Sequence, residues 1–283
     1  MLAESAIDKI SLHPESIQFL IDHLRKSTKI NVKCYKQKFL ERKIKTRIHN
    51  LNLKSDKEYF EYILRTPSEF NNFSNFFTVN YTYFFRNYEV YQALMSDFLN
   101  RKIKRNNQDV LRIWSAPCST GEEPYSLAMM FDYLKRYNKN IPDIEIFASD
   151  IDINAINMAK KGKYGNYSIH ELPIIYKSYF TGKKSKLSSK HIINDEIKKK
   201  VTFIQEDLIE GHQFNQKYDI IFCRNFLIYL NQNSQRKVLK MMSEHLISQG
   251  LLVVGKTEMI LDSVSKDFRL SNPKVHFYLK YEI

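Results

Sequence analysis

The residues best placed to do chemistry sit in one stretch, VLRIWSAPCSTGEEPYS at residues 110–126. An apolar run breaks into a turn of small residues at 115–121, and a segment suited to a helix opens with Glu122, Glu123 and Pro124. Pro124 fits a first helical turn, where its missing N–H costs nothing. A strand, a tight turn and a helix opening form the nucleotide-binding corner of a doubly wound α/β domain. The turn holds a single glycine, Gly121, and no Lys-Ser/Thr pair, so it lacks the parts of a phosphate cradle. Glu122 and Glu123 would also repel a pyrophosphate. Their charge suits a cationic cofactor such as S-adenosylmethionine, with its ammonium and sulfonium groups. Twenty-nine residues after Gly121, the run IEIFASD at 144–150 ends a second strand on an acid, Asp150. In such folds an acid there holds a ribose diol by paired hydrogen bonds. An acid closing a strand is more often a solvated loop residue, but the order and spacing together favour an adenosine-containing cofactor.

These side chains need a scaffold, and the patterning along the chain describes one. Strand, helix and strand are expected at 110–115, 122–138 and 144–149, then a helix at 154–160. Strands return at 201–205 and 218–223. A helix spans 234–248, with Gly250 as its exit before a strand at 251–255. Ser271, Asn272 and Pro273 join two final strand-like runs into a hairpin. This alternation predicts an α/β fold, a doubly wound Rossmann-like sheet, mostly parallel, with an antiparallel closing hairpin. That is the architecture of S-adenosylmethionine-dependent methyltransferases. Residues 163–200 break the alternation and read as an insertion, part helix and part small antiparallel β subdomain.

Residues 1–77 read as all-helical. Pro14 and Glu15 open a helix with Ile17, Leu20, Ile21 and Leu24 on one face. At 36–51, Phe39, Leu40, Ile44, Ile48 and Leu51 form an apolar stripe, with Lys38, Arg42, Lys45 and His49 on the opposite face. A third helix is expected at 56–64 behind Ser55 as its cap, and Thr66-Pro67 ends it and starts another. A further helix covers 88–101, and the polar tract KRNNQD at 104–109 is a loop.

At 283 residues the chain suits one large domain plus a small one. No apolar run approaches the roughly 18–20 residues of a membrane span, and MLAESAIDKI has no secretory signal pattern. A cytoplasmic protein is expected. Cys34, Cys118 and Cys223 are odd in number and form no CxxC, which argues against a disulfide framework or a metal site. The formal charge is +13, and residues 25–54 hold eleven Lys/Arg against one acid, Glu41. Either a Lys-rich composition or an acidic partner accounts for that excess. The eight histidines are scattered, and His170, His191 and His212 are expected at the surface.

Four blocks resemble the CheR-type chemotaxis receptor methyltransferases: NYTYFFR at 80–86, STGEEPYS at 119–126, FASDID at 147–152 and IFCRNFLIYL at 221–230. The resemblance spans nearly the whole chain. It implies a protein-glutamate O-methyltransferase that takes methyl groups from S-adenosylmethionine, leaving S-adenosylhomocysteine, with no metal. The implied partner is the cytoplasmic helical region of membrane chemoreceptors, whose glutamates become methyl esters in sensory adaptation. Asn80, Thr82 and Arg86 are implied to lie at the cofactor, with Arg86 close to the transferred methyl. Arg224 and Asn225 are implied to line the cofactor pocket, and Tyr229 to face the reacting centre. Asp207 and Leu208, after the strand at 201–205, would lie against the adenine. The division that follows is a helical substrate-recognition domain at 1–77, a linker at 78–88 that contributes to the cofactor site, and the methyltransferase domain at 89–283.

Methyl transfer to a glutamate needs no general base, because a carboxylate with a reference pKa of about 4.3 is already ionised near pH 7. It needs a cation to orient that carboxylate, and the planar fork of Arg86 is the candidate. Arg86 and Tyr229 are thus the expected catalytic pair, while Glu122 and Glu123 stay joint candidates for contact with the cofactor. Lys38, Arg42 and Lys45 are expected to meet acidic receptor helices, and the protein to act as a monomer without membrane insertion. The family often carries His-Ser-Glu after the fifth strand; Lys256-Thr257-Glu258 stands there in this chain and no catalytic role is assigned to it. Two alternatives differ in class. A nucleic-acid methyltransferase of the same fold suits the basic charge. However, Arg224-Asn225-Phe226-Leu227 replaces the Asn/Asp-Pro-Pro-aromatic block of amino-methylating DNA enzymes, so no nucleic acid is expected. A non-catalytic cofactor-binding module is opposed by the retention of Arg86, Asp150, Arg224 and Tyr229.

Overall fold

The computed structural model describes residues 7, 10–27, 31–78, 80–99, 110–182 and 190–281. The loop at 104–109, the expected helix end at Arg101, the Lys-rich stretch 183–189 and most of MLAESAIDKI lie outside those residues. The chain divides into two units. One comprises Met1–Val79 with Tyr229–Ser234, the other Asn80–Ile228 with Gln235–Ile283.

The first unit is helical, with helices at Pro14–Ser27, Gln37–Asn50, Asp56–Arg65 and Ser68–Phe77. Apolar residues at helical spacing bury Leu20 and Leu24, then Leu40, Ile44 and Ile48, then Tyr59 and Ile63, then Phe73 and Phe77. Ser55 caps the third helix by accepting the Glu58 N–H at 3.2 Å, a contact worth about 1 kcal/mol. Glu69 is fully buried and accepts from Arg47 Nε and Nη2 at 2.7 Å each and from the Tyr59 hydroxyl at 3.0 Å. Removing Arg47 would strand that charge at a cost of about 3–5 kcal/mol. On the second helix Lys38, Arg42 and His49 are exposed and Lys45 is half-buried. Lys43 instead turns inward to donate to the Phe76 carbonyl at 2.8 Å, and burial pulls its ammonium down to about 8.

Among the described residues the second unit holds ten strands. They are β1 Val110–Ser115, β2 Asp143–Asp150, β3 Lys163–Tyr164, β4 Phe180–Thr181, β5 His191–Ile193, β6 Val201–Gln205, β7 Tyr218–Cys223, β8 Leu246–Val254, β9 Phe268–Asn272 and β10 Phe277–Lys280. Seven form one sheet in the order β6-β2-β1-β7-β8-β10-β9. The first five are parallel, and the hairpin β9–β10 closes the sheet antiparallel to β8. Ile113 pairs with Ile146 on one side and Ile220 on the other. Every residue of β7 is buried, as expected of a central parallel strand with both faces covered. The Glu122–Tyr137 helix buries Leu127, Ala128, Met130 and Phe131 in the same core as Leu111 and Ile113 of β1 and Ile144 and Ile146 of β2. Strands β3, β5 and β4, in that order, make a separate antiparallel sheet within the expected insertion.

The fold departs from the sequence reading in two places. The helix after β7 ends at His245, not Ser248, and β8 starts at once. Its register jumps between Tyr218↔Leu246 and Ile220↔Leu251, and Gln249 takes a left-handed φ of 59°. Gly250 therefore sits inside an irregular strand instead of at a helix exit. A Cβ there would come within 2.8 Å of Leu246 Cγ, so the irregularity needs the glycine. The second departure is His212, whose side chain is 0% exposed where a surface histidine was expected. It lies between Glu206 Oε1, 3.0 Å from Nδ1, and the Tyr218 hydroxyl, 2.8 Å from Nε2, and it stacks on Trp114 at 4.0 Å. A polar ring is buried there because both nitrogens have partners. Among the described residues no helix is long and apolar enough to cross a membrane.

Candidate active site

The sheet grows outward from β1 in both directions, through β2 and β6 on one side and β7 and β8 on the other. In open α/β sheets ligands bind outside the carboxyl ends of the strands where the order reverses. That edge gathers the loops after β1, β2, β6, β7 and β8, which carry most of the candidate residues.

The loop after β1 is tightly built. Gly121 has a φ of 94° and a Cβ there would lie 2.7 Å from Ala159 Cβ, so only glycine allows the helix to start this close to its neighbour. Asp150, 6% exposed, closes β2. Its carboxylate accepts the Ser119 N–H at 2.7 Å and the Asp152 N–H at 3.0 Å, so it ties the two loops together. Burial pushes its pKa up to about 6, against the pull of those backbone donors. Asp152 caps the Ile153–Lys161 helix by accepting from Asn154 and Ala155, and it also accepts from Asn80 Nδ2 at 2.8 Å. Asn80 is exposed, and its amide oxygen accepts from Ser119 Oγ at 3.4 Å. Thr82 is half-buried.

Glu122 and Glu123 have separate fates. Glu122 is 2% exposed and accepts from Thr120 Oγ1 at 2.6 Å and Ser168 Oγ at 2.9 Å; burial raises its pKa. Glu123 accepts from Ser115 Oγ at 2.9 Å and from Arg224 Nη1 at 3.0 Å. The Arg224 guanidinium, its side chain 2% exposed, also gives Nη2 hydrogen bonds to the Arg86 carbonyl at 3.0 Å and to Asn87 Oδ1 at 2.8 Å. Those bonds fix a strained segment, for Phe85 and Asn87 both take left-handed φ, 57° and 61°. A bulky residue holds that conformation only where its surroundings impose it. Phe85 is further held by its N–H on Ser126 Oγ at 2.9 Å and by stacking on Tyr176 at 4.1 Å. Arg86, half-buried between them, donates Nη1 to the Tyr81 carbonyl at 2.8 Å and lies 5.1 Å over the Tyr81 ring.

Asp207 follows β6. One carboxylate oxygen accepts the Ile209 N–H at 2.9 Å, while Oδ2 is buried with no hydrogen-bond partner among the described residues. Burial raises its pKa, and Leu208 beside it is 4% exposed. Asn225 has a left-handed φ of 59°, and its N–H is held by Glu258. Tyr229 groups with the helical unit. Its carbonyl accepts the Lys36 N–H at 2.8 Å and its ring lies 4.6 Å from that of Phe39. Lys38, Arg42 and Lys45 belong to that unit too. The structure thus brings together Asn80, Arg86, Glu122, Glu123, Asp150, Arg224 and Asn225 in one unit, and sequence reasoning missed Glu258, Ser168 and Asn87 among their partners. An acid three residues past a glycine at the end of a strand was the available signal for Glu258. Among the described residues no cluster of His, Cys, Asp or Glu could hold a metal ion.

Two family descriptions cover most of the chain. "CheR methyltransferase, SAM binding domain" matches residues 80–277 and "CheR methyltransferase, all-alpha domain" matches 15–78. "Chemotaxis protein methyltransferase 2" of Pseudomonas aeruginosa is 32% identical over 247 residues, 86% of either chain. "Chemotaxis protein methyltransferase" of Borreliella burgdorferi is 28% identical over 257 residues, 89% of this chain and 90% of that protein. The chain belongs to the CheR family of chemotaxis protein methyltransferases.

Proposed function

We propose that Arg86 and Tyr229 carry the chemistry of methyl transfer, and that Asn80, Thr82, Glu123, Asp150, Asp207, Leu208, Arg224 and Asn225 hold the cofactor. As a CheR chemotaxis protein methyltransferase, the chain methylates chemoreceptor glutamates with S-adenosylmethionine. The observation that carries the residue assignment is the hydrogen-bonded chain Ser115–Glu123–Arg224–Arg86, which anchors Arg86 at the carboxyl edge of β1 and β7.

The donor set fits the cofactor. Asp207 Oδ2 is a buried acceptor without a donor among the described residues, which suits the exocyclic amino group of an adenine. Asp150 has oxygens that each take one backbone N–H and keep a second acceptor position for a ribose hydroxyl. Of the two glutamates, Glu123 keeps the greater exposure, 12% at its side chain, and is the one to face the cofactor's ammonium. When bound, S-adenosylmethionine supplies a methyl group on a positively charged sulfur, which leaves as the neutral thioether of S-adenosylhomocysteine once a glutamate oxygen has taken the methyl. Arg86 orients that glutamate: the Tyr81 carbonyl and ring hold one side of the guanidinium, and the planar fork then meets a carboxylate bidentately. No proton moves, so orientation and exclusion of water matter more than an acid or a base.

Residues 1–77 serve as the receptor-recognition domain, 78–88 as the linker that feeds the cofactor site and 89–283 as the methyltransferase domain. Lys38, Arg42 and Lys45 meet the acidic cytoplasmic helices of the receptor, and the protein works as a cytoplasmic monomer. Arg86→Ala tests the assignment. Its methylation rate should fall further than its affinity for S-adenosylhomocysteine, because its main partner is the substrate carboxylate. A loss confined to cofactor affinity would refute the orienting role.

A further inference from the structure

Glu258 follows β8 at the carboxyl edge of the sheet and is 3% exposed. A carboxylate is buried at tolerable cost only when donors match its oxygens. Here each oxygen takes two. Oε2 accepts the N–H of Gly255 at 2.6 Å and of Asn225 at 2.8 Å. Oε1 accepts the N–H of Phe226 at 2.8 Å and of Ile228 at 3.2 Å. Three of these donors belong to the loop between Arg224 and Tyr229. The same loop contains Asn225 at its left-handed φ of 59°, and a carboxylate gathering successive N–H groups stabilises that shape. Gly255 makes the approach possible, because a Cβ there would lie 2.5 Å from Glu258 Oε2 and 3.0 Å from the Asn225 nitrogen.

We infer that Glu258 is a positioning residue for methyl transfer: it fixes the backbone of residues 225–228 so that Arg224 and Asn225 are presented in their working geometry. This rests on the assignment of those two residues to the site. The charge and both oxygens are required. In Glu258→Gln the amide NH2 must face two backbone N–H groups, so two acceptor bonds are lost and donors oppose donors.

The test compares Glu258→Gln, Glu258→Asp and Arg224→Met at equal distance below their melting temperatures, with three readouts: receptor methylation kinetics, affinity for S-adenosylhomocysteine and the backbone amide spectrum. Glu258→Gln should lower kcat by about a hundredfold, the scale of a 1 Å misplacement, and leave KM for receptor membranes unchanged. The amide resonances of Gly255, Asn225, Phe226 and Ile228 should shift together, and Glu258→Asp, which keeps both oxygens, should recover part of the rate. A normal kcat in Glu258→Gln with an inactive Arg224→Met overturns the positioning role and leaves the site intact. Full activity in both overturns the site assignment itself. A rate loss that vanishes at equal distance below melting shows a merely structural role and also overturns the inference. If Glu258→Gln does not fold, hydrogen exchange in the parent protein decides. The four amides should be protected at least about tenfold more than an unbonded loop amide, and exchange at the unbonded rate overturns the inference.

Discussion

Replacing Arg224 by methionine keeps most of the aliphatic stem and removes the charge that joins β7 to residues 86 and 87. The guanidinium is 2% exposed and makes hydrogen bonds to Glu123 at 3.0 Å, the Arg86 carbonyl at 3.0 Å and Asn87 Oδ1 at 2.8 Å. Breaking a buried ion pair from one side costs about 3–5 kcal/mol, because the partner charge is left uncompensated. Glu123 keeps its Ser115 hydrogen bond and 12% exposure of its side chain, which places the expected loss near about 3 kcal/mol. Glu123→Gln retains an acceptor for Arg224 and should cost about 1–2 kcal/mol. In the double variant neither charge is stranded, so the losses should fall short of their sum by about 2 kcal/mol. Urea unfolding followed by Trp114 fluorescence measures this cleanly. Trp114 is the one tryptophan of the chain, it is fully buried on β1, and it therefore reports on the sheet unit. Additivity within about 0.5 kcal/mol would refute the claim that Glu123 and Arg224 act as one buried pair.

Other outcomes follow from the same geometry. Asp150→Ala should weaken S-adenosylhomocysteine binding by about 1–3 kcal/mol, the range for charged hydrogen bonds, and unchanged affinity by calorimetry would remove Asp150 from the site. The ionised form of Asp150 is the better acceptor, and its pKa sits at about 6. Affinity should therefore be about tenfold weaker at pH 5 than near pH 7, with a flat profile in Asp150→Asn. Because its folded pKa lies above its ordinary value, the same group favours the ligand-free fold at low pH, and that contribution is lost as pH rises through about 6. Reversing Lys38, Arg42 and Lys45 to Glu should lower receptor methylation by about severalfold at low salt and leave cofactor affinity intact, since complementary charge mainly raises association rate and is screened by salt. Equal methylation by variant and parent at low ionic strength would make that helix face mere solvated surface.

The sheet was legible because its signals are local. Continuous apolar runs marked β1, β2 and β7, and small residues before Glu122-Glu123-Pro124 marked the turn at the ligand edge. Ser55 was readable as a cap because the donor it satisfies lies three residues on. Longer-range features were not. Glu258 stands out only once folding brings it to the N–H groups of residues 225, 226 and 228, about thirty positions earlier, and backbone donors leave no trace in residue type. His212 looked like a surface residue because its partners, Glu206, Tyr218 and Trp114, come from three different strands or strand ends. The jump in β8 was hidden by Gly250, which reads equally well as a helix exit and as a strand irregularity. Asp150 was expected to be a functional acid from its place at a strand end, but its hold on the Ser119 and Asp152 N–H groups depends on how two loops meet.

Whether receptor glutamates are the acceptors is tested most directly by the chemical nature of the methylated product. The protein is incubated with methyl-labelled S-adenosylmethionine and chemoreceptor membranes, and the labelled receptor is then treated with base. Methyl esters of glutamate should release the label as volatile methanol, and Arg86→Ala should sharply reduce it. Label that stays on the receptor after base, or no transfer to receptor at all, would contradict the assignment of receptor glutamates as the acceptors.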